Sequence, residues 1–194
     1  ETDFKDRIYI NDGQGNLSTM VFSPAQSSGG CVIANDFDKD GDIDLFVGGR
    51  VVPRQYPLAP KSYLLVNEKG KLIDKTDEIA PQLRNVGMIT DAVWSDYDKD
   101  GWADLIVVGE WMPITIFKNK KGKLEEGAIE IDNSKGFWNS IVTGDFDEDG
   151  DEDYLLGNLG KNTRLKASEK MPLLIYNIDF DKNGSLDPLI GQSY

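Results

Sequence analysis

The sequence predicts an all-β fold assembled from repeated antiparallel units. Three observations predict it. A nine-residue acidic loop occurs four times, starting at residues 36, 96, 145 and 179. Each copy is flanked by short apolar runs rich in branched and aromatic side chains, and the downstream runs end at Gly48, Gly109, Gly157 and Gly191. Runs of this length closed by glycine read as buried strands, and self-similarity at spacings of 60, 49 and 34 residues reads as a propeller, solenoid or array.

The loops carry the chemistry. They are Asp36-Phe37-Asp38-Lys39-Asp40-Gly41-Asp42-Ile43-Asp44, Asp96-Tyr97-Asp98-Lys99-Asp100-Gly101-Trp102-Ala103-Asp104, Asp145-Phe146-Asp147-Glu148-Asp149-Gly150-Asp151-Glu152-Asp153 and Asp179-Phe180-Asp181-Lys182-Asn183-Gly184-Ser185-Leu186-Asp187. Side-chain oxygen stands at positions 1, 3, 5 and 9 of each, and glycine at position 6 permits the sharp turn. The backbone carbonyl at position 7, of Asp42, Trp102, Asp151 or Ser185, adds a further oxygen. Such a cage of six or seven hard oxygens suits calcium, so four calcium ions are expected. A single copy would be weak evidence, because Asp, Asn and Gly also build solvated turns; four copies in one register argue against that reading. A helix-loop-helix calcium hand needs Glu at position 12, where this chain has Val47, Val107, Leu156 and Ile190.

Taken in order, the elements fall into pairs. Arg7–Ile10 turns through Asn11–Gly15 to Asn16-Leu17, a hairpin. Cys31–Ala34, loop 1 and Leu45–Val47 form an inner pair, followed by Ser62–Val66, the turn Asn67–Gly70 and Lys71–Ile73. Ala92–Trp94, loop 2 and Leu105–Val108 repeat the inner pair, followed by Ile114–Phe117, a turn ending at Gly122, and Lys123-Leu124. Ser140–Thr143, loop 3 and Tyr154–Leu156 are the third inner pair. The polar stretch Lys161–Lys170 connects it to Leu174–Ile178, loop 4 and Leu189-Ile190. Glycine-bearing turns between such runs are hairpin signals. Four strands per unit is the size of a propeller blade. The expected fold class is therefore an all-β propeller, partial or small. Its segments are an outer hairpin at 1–22, blades at 31–78 and 88–126, a shortened blade at 137–170 and the inner strands of a further blade at 172–194. Either the chain is a segment of a longer propeller, or its first hairpin pairs with its last strands to close a small ring.

Composition agrees with a metal-dependent globular domain. The chain has 194 residues, 39% of them hydrophobic, with a net charge of −13. Of 34 acidic residues, 15 are Asp at side-chain ligand positions of the loops, which leaves 19 against 21 basic residues. Four divalent ions would bring −13 to −5. No basic stripe exists to meet phosphates, so nucleic acid is not an expected partner. No 18-residue apolar run is present, so no membrane span is expected. Cys31 is the only cysteine, read as a buried structural thiol. There is no histidine, which excludes histidine-based nucleophile triads and histidine-ligated metals.

The motif D-x-D-x-D-G-x-x-D-L between strands resembles the FG-GAP and VCBS repeats of integrin α-subunit propellers. Asp44-Leu45 and Asp104-Leu105 match it in full, whereas Asp153-Tyr154 and Asp187-Pro188 depart at the last position and Asn183 replaces an acid. Val47-Gly48-Gly49-Arg50, Arg54-Gln55-Tyr56-Pro57-Leu58, Val108-Gly109-Glu110-Trp111-Met112-Pro113 and Gly157-Asn158-Leu159-Gly160 more closely resemble bacterial proteins of the ASPIC/UnbV, cartilage-acidic-protein type. The resemblance, over about 30–190, implies an exported or cell-surface propeller, often part of a larger protein, that serves recognition or adhesion. Extracellular calcium modules bind at roughly 0.1–1 mM, which also fits export.

The expected ligand face lies at the far end of the inner strands, where the repeats deliver Arg50, Trp111 and Asn158, with Arg54 and Tyr56 nearby and Arg84 and Arg164 as further candidates. An arginine and aromatic cluster suits a protein or glycan ligand. No catalytic constellation is visible, so an enzyme is not expected; the alternative is a partial, lyase-like propeller of a polysaccharide-processing enzyme. Open blade edges predict self-association.

Overall fold

The computed structural model describes residues 7–21, 28–125, 129–160, 163–168 and 170–192. The strands are β1 (Arg7–Asn11), β2 (Leu17–Val21), β3 (Ser28–Asn35), β4 (Asp44–Val51), β5 (Tyr63–Glu68), β6 (Lys71–Asp74), β7 (Met88–Ser95), β8 (Asp104–Met112), β9 (Thr115–Phe117), β10 (Ile129–Glu130), β11 (Gly136–Gly144), β12 (Asp153–Asn158), β13 (Leu173–Ile178) and β14 (Asp187–Gln192). Every pairing is antiparallel. One helical turn, α1 (Thr76–Ile79), and a 3-10 turn at Pro81–Leu83 cross from β6 to β7, a connection that the strand pattern does not announce. Among the described residues no helix is long and apolar enough to cross a membrane.

The sheet β3-β4-β5-β6 is a four-stranded meander. The next unit, β7-β8-β9-β10, repeats it, and its fourth strand corrects the sequence reading. Lys123-Leu124 contributes only a single bridge, Asn119 to Leu124, while Ile129 and Glu130 pair with Ile116 and Thr115 of β9. Two residues carry too little alternation to show as a strand in a sequence. β11 and β12 form an inner pair with no outer hairpin among the described residues, and β11 also joins the far end of β8 through Gly136 opposite Met112 and Phe137 opposite Glu110. β1–β2 and β13–β14 stand as separate two-stranded sheets, so among the described residues the sheets do not close into a ring.

The run Leu105-Ile106-Val107-Val108 of β8 shows how the units stack. Successive side chains of a strand point to opposite faces. Leu105 and Val107 enter a core with Phe37, Phe46, Leu64, Ile89 and Phe117, between the first two four-stranded units. Ile106 and Val108 enter a second core with Ile116 and Ile141, against β11–β12. A strand covered on both faces loses its polar alternation, which is why the run reads as continuously apolar. A third, smaller cluster of Val47, Tyr63 and Leu65 is touched by Ile8 of β1. Gly109 is required where β8 passes β7, since a Cβ there would lie 2.1 Å from the Met88 carbonyl oxygen. Cys31 is half-buried rather than buried, and burial pushes its thiol up to about 12, which keeps it protonated and inert.

Candidate metal centres

All four loops adopt one turn. Position 4, which is Lys39, Lys99, Glu148 or Lys182, is left-handed with φ of 60°, 57°, 64° and 58°. The glycine at position 6 has φ of 97°, 90°, 90° and 86°, a region that costs glycine nothing. The glycine N–H donates to the carboxylate at position 1: Gly41 to Asp36 at 3.2 Å, Gly101 to Asp96 at 2.8 Å, Gly150 to Asp145 at 3.0 Å and Gly184 to Asp179 at 2.9 Å. The N–H at position 7 donates to the side-chain oxygen at position 5, from Asp42 to Asp40 at 2.8 Å, Trp102 to Asp100 at 2.9 Å, Asp151 to Asp149 at 2.9 Å and Ser185 to Asn183 at 2.7 Å. The acidic oxygens thereby converge. Ligand atoms of Asp36, Asp38 and Asp40 lie within 4.8 Å of one another, as do those of Asp96, Asp98 and Asp104, of Asp145, Asp147 and Asp153, and of Asp179, Asp181 and Asp187.

The donor set fits a hard cation. It is oxygen only, with no sulfur or imidazole, as calcium requires. Loops 1 and 2 add a sharper test. Asp36 Oδ1, Asp44 Oδ2, Asp96 Oδ1 and Asp104 Oδ2 are buried and have no hydrogen-bond partner. A buried carboxylate oxygen without a partner is costly, and a cation in the loop would satisfy each of the four. Asp44 is 1% exposed and Asp104 0%. Burial, reinforced by the neighbouring Asp38 and Asp40 or Asp98 and Asp100, pushes each of them up to about 6.

Two asparagines that sequence reasoning passed over as turn residues set this burial. The N–H of Asn67 donates to Asp44 Oδ1 at 2.8 Å, and the N–H of Asn119 to Asp104 Oδ1 at 2.6 Å. Each asparagine also accepts at Oδ1 from the glycine three residues on, Gly70 at 2.8 Å and Gly122 at 2.9 Å. The shared spelling Asn-x-Lys-Gly in the two outer turns was the available signal. In loops 3 and 4 the position-9 carboxylate accepts the N–H of position 2, Phe146 to Asp153 at 2.9 Å and Phe180 to Asp187 at 3.0 Å.

Lysines and one hydroxyl cluster join the loops. Lys118 contacts the Asp98 carboxylate and holds it below the usual range. Lys99 of loop 2 reaches Asp151 of loop 3. Lys39 of loop 1 donates to the Gly101 carbonyl and lies 4.6 Å from the ring centroid of Trp102. Ser95 meets both Glu152 and Tyr154.

At the other end of the inner strands, some 20 Å from the loops at about 3.3 Å per residue, three of the expected ligand-face residues meet. Arg50 pairs with Glu110 at 2.7 Å. Tyr56 donates to the other Glu110 oxygen at 3.2 Å and accepts from Trp111 Nε1 at 2.6 Å. Trp111 packs edge-on against Phe137 at 4.5 Å between centroids and has φ of 59°. A bulky residue in that region is strained, by about 1–3 kcal/mol, and such residues concentrate at functional sites. Trp111 and Phe137 line a cleft of about 870 Å³ with Asp132, Lys135, Leu173 and Leu174. Arg54 is exposed, and Asn158 sits opposite Trp138 in the β11–β12 pair. Arg84 does not join the cluster: it is held elsewhere by Asp74 at 3.0 Å and Asp77 at 2.7 Å. Arg164 is exposed.

Comparison with known families agrees with this geometry. A family model described as FG-GAP-like repeat matches residues 62–156, a span that contains loops 2 and 3 with their flanking strands. No curated protein matches the chain. Residues 62–156 thus match an FG-GAP-like repeat, and the same loop-and-strand unit recurs on either side of the matched span, which supports the FG-GAP/VCBS-repeat family for this chain.

Proposed function

We propose that the chain is a calcium-stabilised recognition or adhesion module of an extracellular or cell-surface protein, its repeated units serving as blades of a propeller. The observation that carries the metal assignment is the set of four buried, unpartnered carboxylate oxygens in loops 1 and 2, in an oxygen cage repeated in loops 3 and 4. Each ion would be held by side chains at positions 1, 3, 5 and 9 and the carbonyl at position 7, a shell that leaves little room for a substrate. The ion's role is thus to hold adjacent strands in register. Calorimetry on chelator-treated protein should find about four ions with dissociation constants of roughly 0.1–1 mM, the range of extracellular modules. An absence of binding at millimolar calcium would overturn the assignment.

Ligand contact is assigned to the end opposite the loops. Strained Trp111, its partners Tyr56, Glu110 and Arg50, and the adjoining cleft form a polar and aromatic surface of ordinary ligand-site size. The cleft also supports a second reading, a partial polysaccharide-processing enzyme, because it sets Lys135 and Asp132 beside aromatic surface. Turnover of an acidic polysaccharide, lost on replacing Lys135, would favour the enzyme. Binding without turnover, lost in Trp111→Ala, would favour the recognition module.

A further inference from the structure

Loops 1 and 2 are joined by one buried side chain. Asn119, at 0% exposure, stands at the end of β9 in the second unit. Its backbone N–H holds Asp104, the position-9 ligand of loop 2. Its side-chain amide donates to the Ala103 carbonyl of loop 2 at 2.9 Å and, across to the first unit, to the Phe37 carbonyl of loop 1 at 2.8 Å. With Oδ1 accepting from Gly122 at 2.9 Å, both amide hydrogens and the oxygen are engaged. The contact lies between two ligands of loop 1, since Phe37 separates Asp36 from Asp38. The same turn passes close to Asp38, since a Cβ added to Gly122 would lie 2.9 Å from Asp38 Cβ. Phe37 is fixed from its other side by stacking on Trp94 at 5.6 Å, two residues before Asp96. Asn67, the equivalent residue of the first unit, shows what is special here. Its amide donates to the Ile43 carbonyl of its own loop at 3.1 Å and, among the described residues, to no other loop.

A cation in loop 1 orders Asp36 and Asp38 and hence the carbonyl between them. That carbonyl positions the Asn119 side chain, and the Asn119 backbone presents the donor that orients Asp104. We infer that Asn119 links the two metal sites, so that filling loop 1 raises the affinity of loop 2 and, by thermodynamic reciprocity, filling loop 2 raises that of loop 1. The inference rests on the metal reading of these loops and adds to it a direction and a residue.

The test is a calcium titration of ¹⁵N-labelled, chelator-treated protein. The position-6 glycine amides of Gly41, Gly101 and Gly184 serve as separate reporters of loops 1, 2 and 4. Asp36→Ala disables loop 1. The Gly101 midpoint should then move to about fivefold higher calcium, the low end of ordinary site coupling, while the Gly184 midpoint stays in place. In Asn119→Leu, which keeps the volume and loses the amide donors, the Gly101 midpoint should be the same with or without Asp36→Ala. Asn67→Leu should leave the dependence intact. A Gly101 midpoint indifferent to Asp36→Ala overturns the linkage. A dependence that survives in Asn119→Leu overturns the role of Asn119. If the leucine variant does not fold, Asn119→Ser answers the same question, and the comparison of native protein with Asp36→Ala decides the linkage without either. Glycine signals unmoved at millimolar calcium would instead remove the metal reading itself, a different and recognisable failure.

Discussion

Loops 1 and 2 share their turn and internal hydrogen bonds with loops 3 and 4, but the two pairs have different surroundings. In the first pair the position-9 carboxylates are buried and clamped by an asparagine of an outer hairpin. In the second pair the same residues, Asp153 and Asp187, are half-buried, and among the described residues no asparagine of an outer hairpin clamps them. Phe37 at position 2 is 1% exposed, while Phe146 and Phe180 at the same position are 59% and 55% exposed. The difference follows the outer hairpins: the first two units have them and, among the described residues, β11–β12 and β13–β14 do not. Nine residues thus encode the shape of the turn, and the neighbouring unit sets the dielectric around it. Low dielectric strengthens a cation–carboxylate contact and makes the empty site more costly.

The largest expected effect is that of calcium itself. At a hundredfold excess over the dissociation constant, each filled site stabilises by about 2.7 kcal/mol, or some 5–10 °C in a domain of this size. Chelation should therefore lower the melting temperature by more than 10 °C, and magnesium should restore little of it, because it prefers a small octahedral shell and keeps its waters. An unchanged melting curve would remove the structural role of the loops. Next in size is Phe37→Ala. It should cost about 3–5 kcal/mol in denaturant unfolding, as large aromatic truncations in cores do. Phe146→Ala and Phe180→Ala should fall within about 0.5 kcal/mol of native, as exposed positions do; equal costs at all three would mean that the loops are buried alike.

Smaller and opposite in sign is the response of the metal-free protein to charge removal. Asp44→Asn and Asp104→Asn relieve a buried, unsatisfied charge and should raise metal-free stability by about 1–2 kcal/mol while weakening calcium binding. Asp153→Asn and Asp187→Asn should leave metal-free stability nearly unmoved. The pH dependence follows from the same two residues. Their folded-state pKa of about 6 lies above the ordinary carboxylate value near 4, so between these values the folded state holds more protons than the unfolded one. Their contribution to metal-free stability therefore grows as pH falls from about 6 toward 4. Calcium must displace those protons, so its stabilising effect should shrink over the same window. Melting curves at pH 7 and pH 5, with calcium and with chelator, should diverge in opposite directions.

The inner pairs were legible in the sequence because their information is local. Ligand spacing, glycine and apolar runs all lie within some twenty residues of each loop. What lay beyond reading depends on distant partners. Ile129 and Glu130 form a strand only because β9 offers an edge to them. Asn119 looks like any turn asparagine until folding brings Phe37 beside it. Arg84 and Arg50 are equally basic in sequence, yet one is taken by Asp74 and Asp77 and the other by Glu110. The ligand-face reading placed Arg50, Tyr56 and Trp111 together and left out Glu110, the acid that joins two of them directly.

Trp102 has a practical consequence. Among the four position-7 residues it alone is aromatic, beside Asp42, Asp151 and Ser185. An indole absorbs ultraviolet light and passes excitation to a lanthanide held a few ångströms away, and trivalent lanthanides share the preference of calcium for a crowded oxygen shell. Loop 2 therefore carries its own antenna. Terbium bound there would glow on excitation of tryptophan, and Trp102→Leu would darken that emission while leaving the oxygen ligands in place. Trp94, stacked on Phe37 of loop 1, would add emission of its own, so the part of the signal lost in Trp102→Leu is the gauge of loop 2.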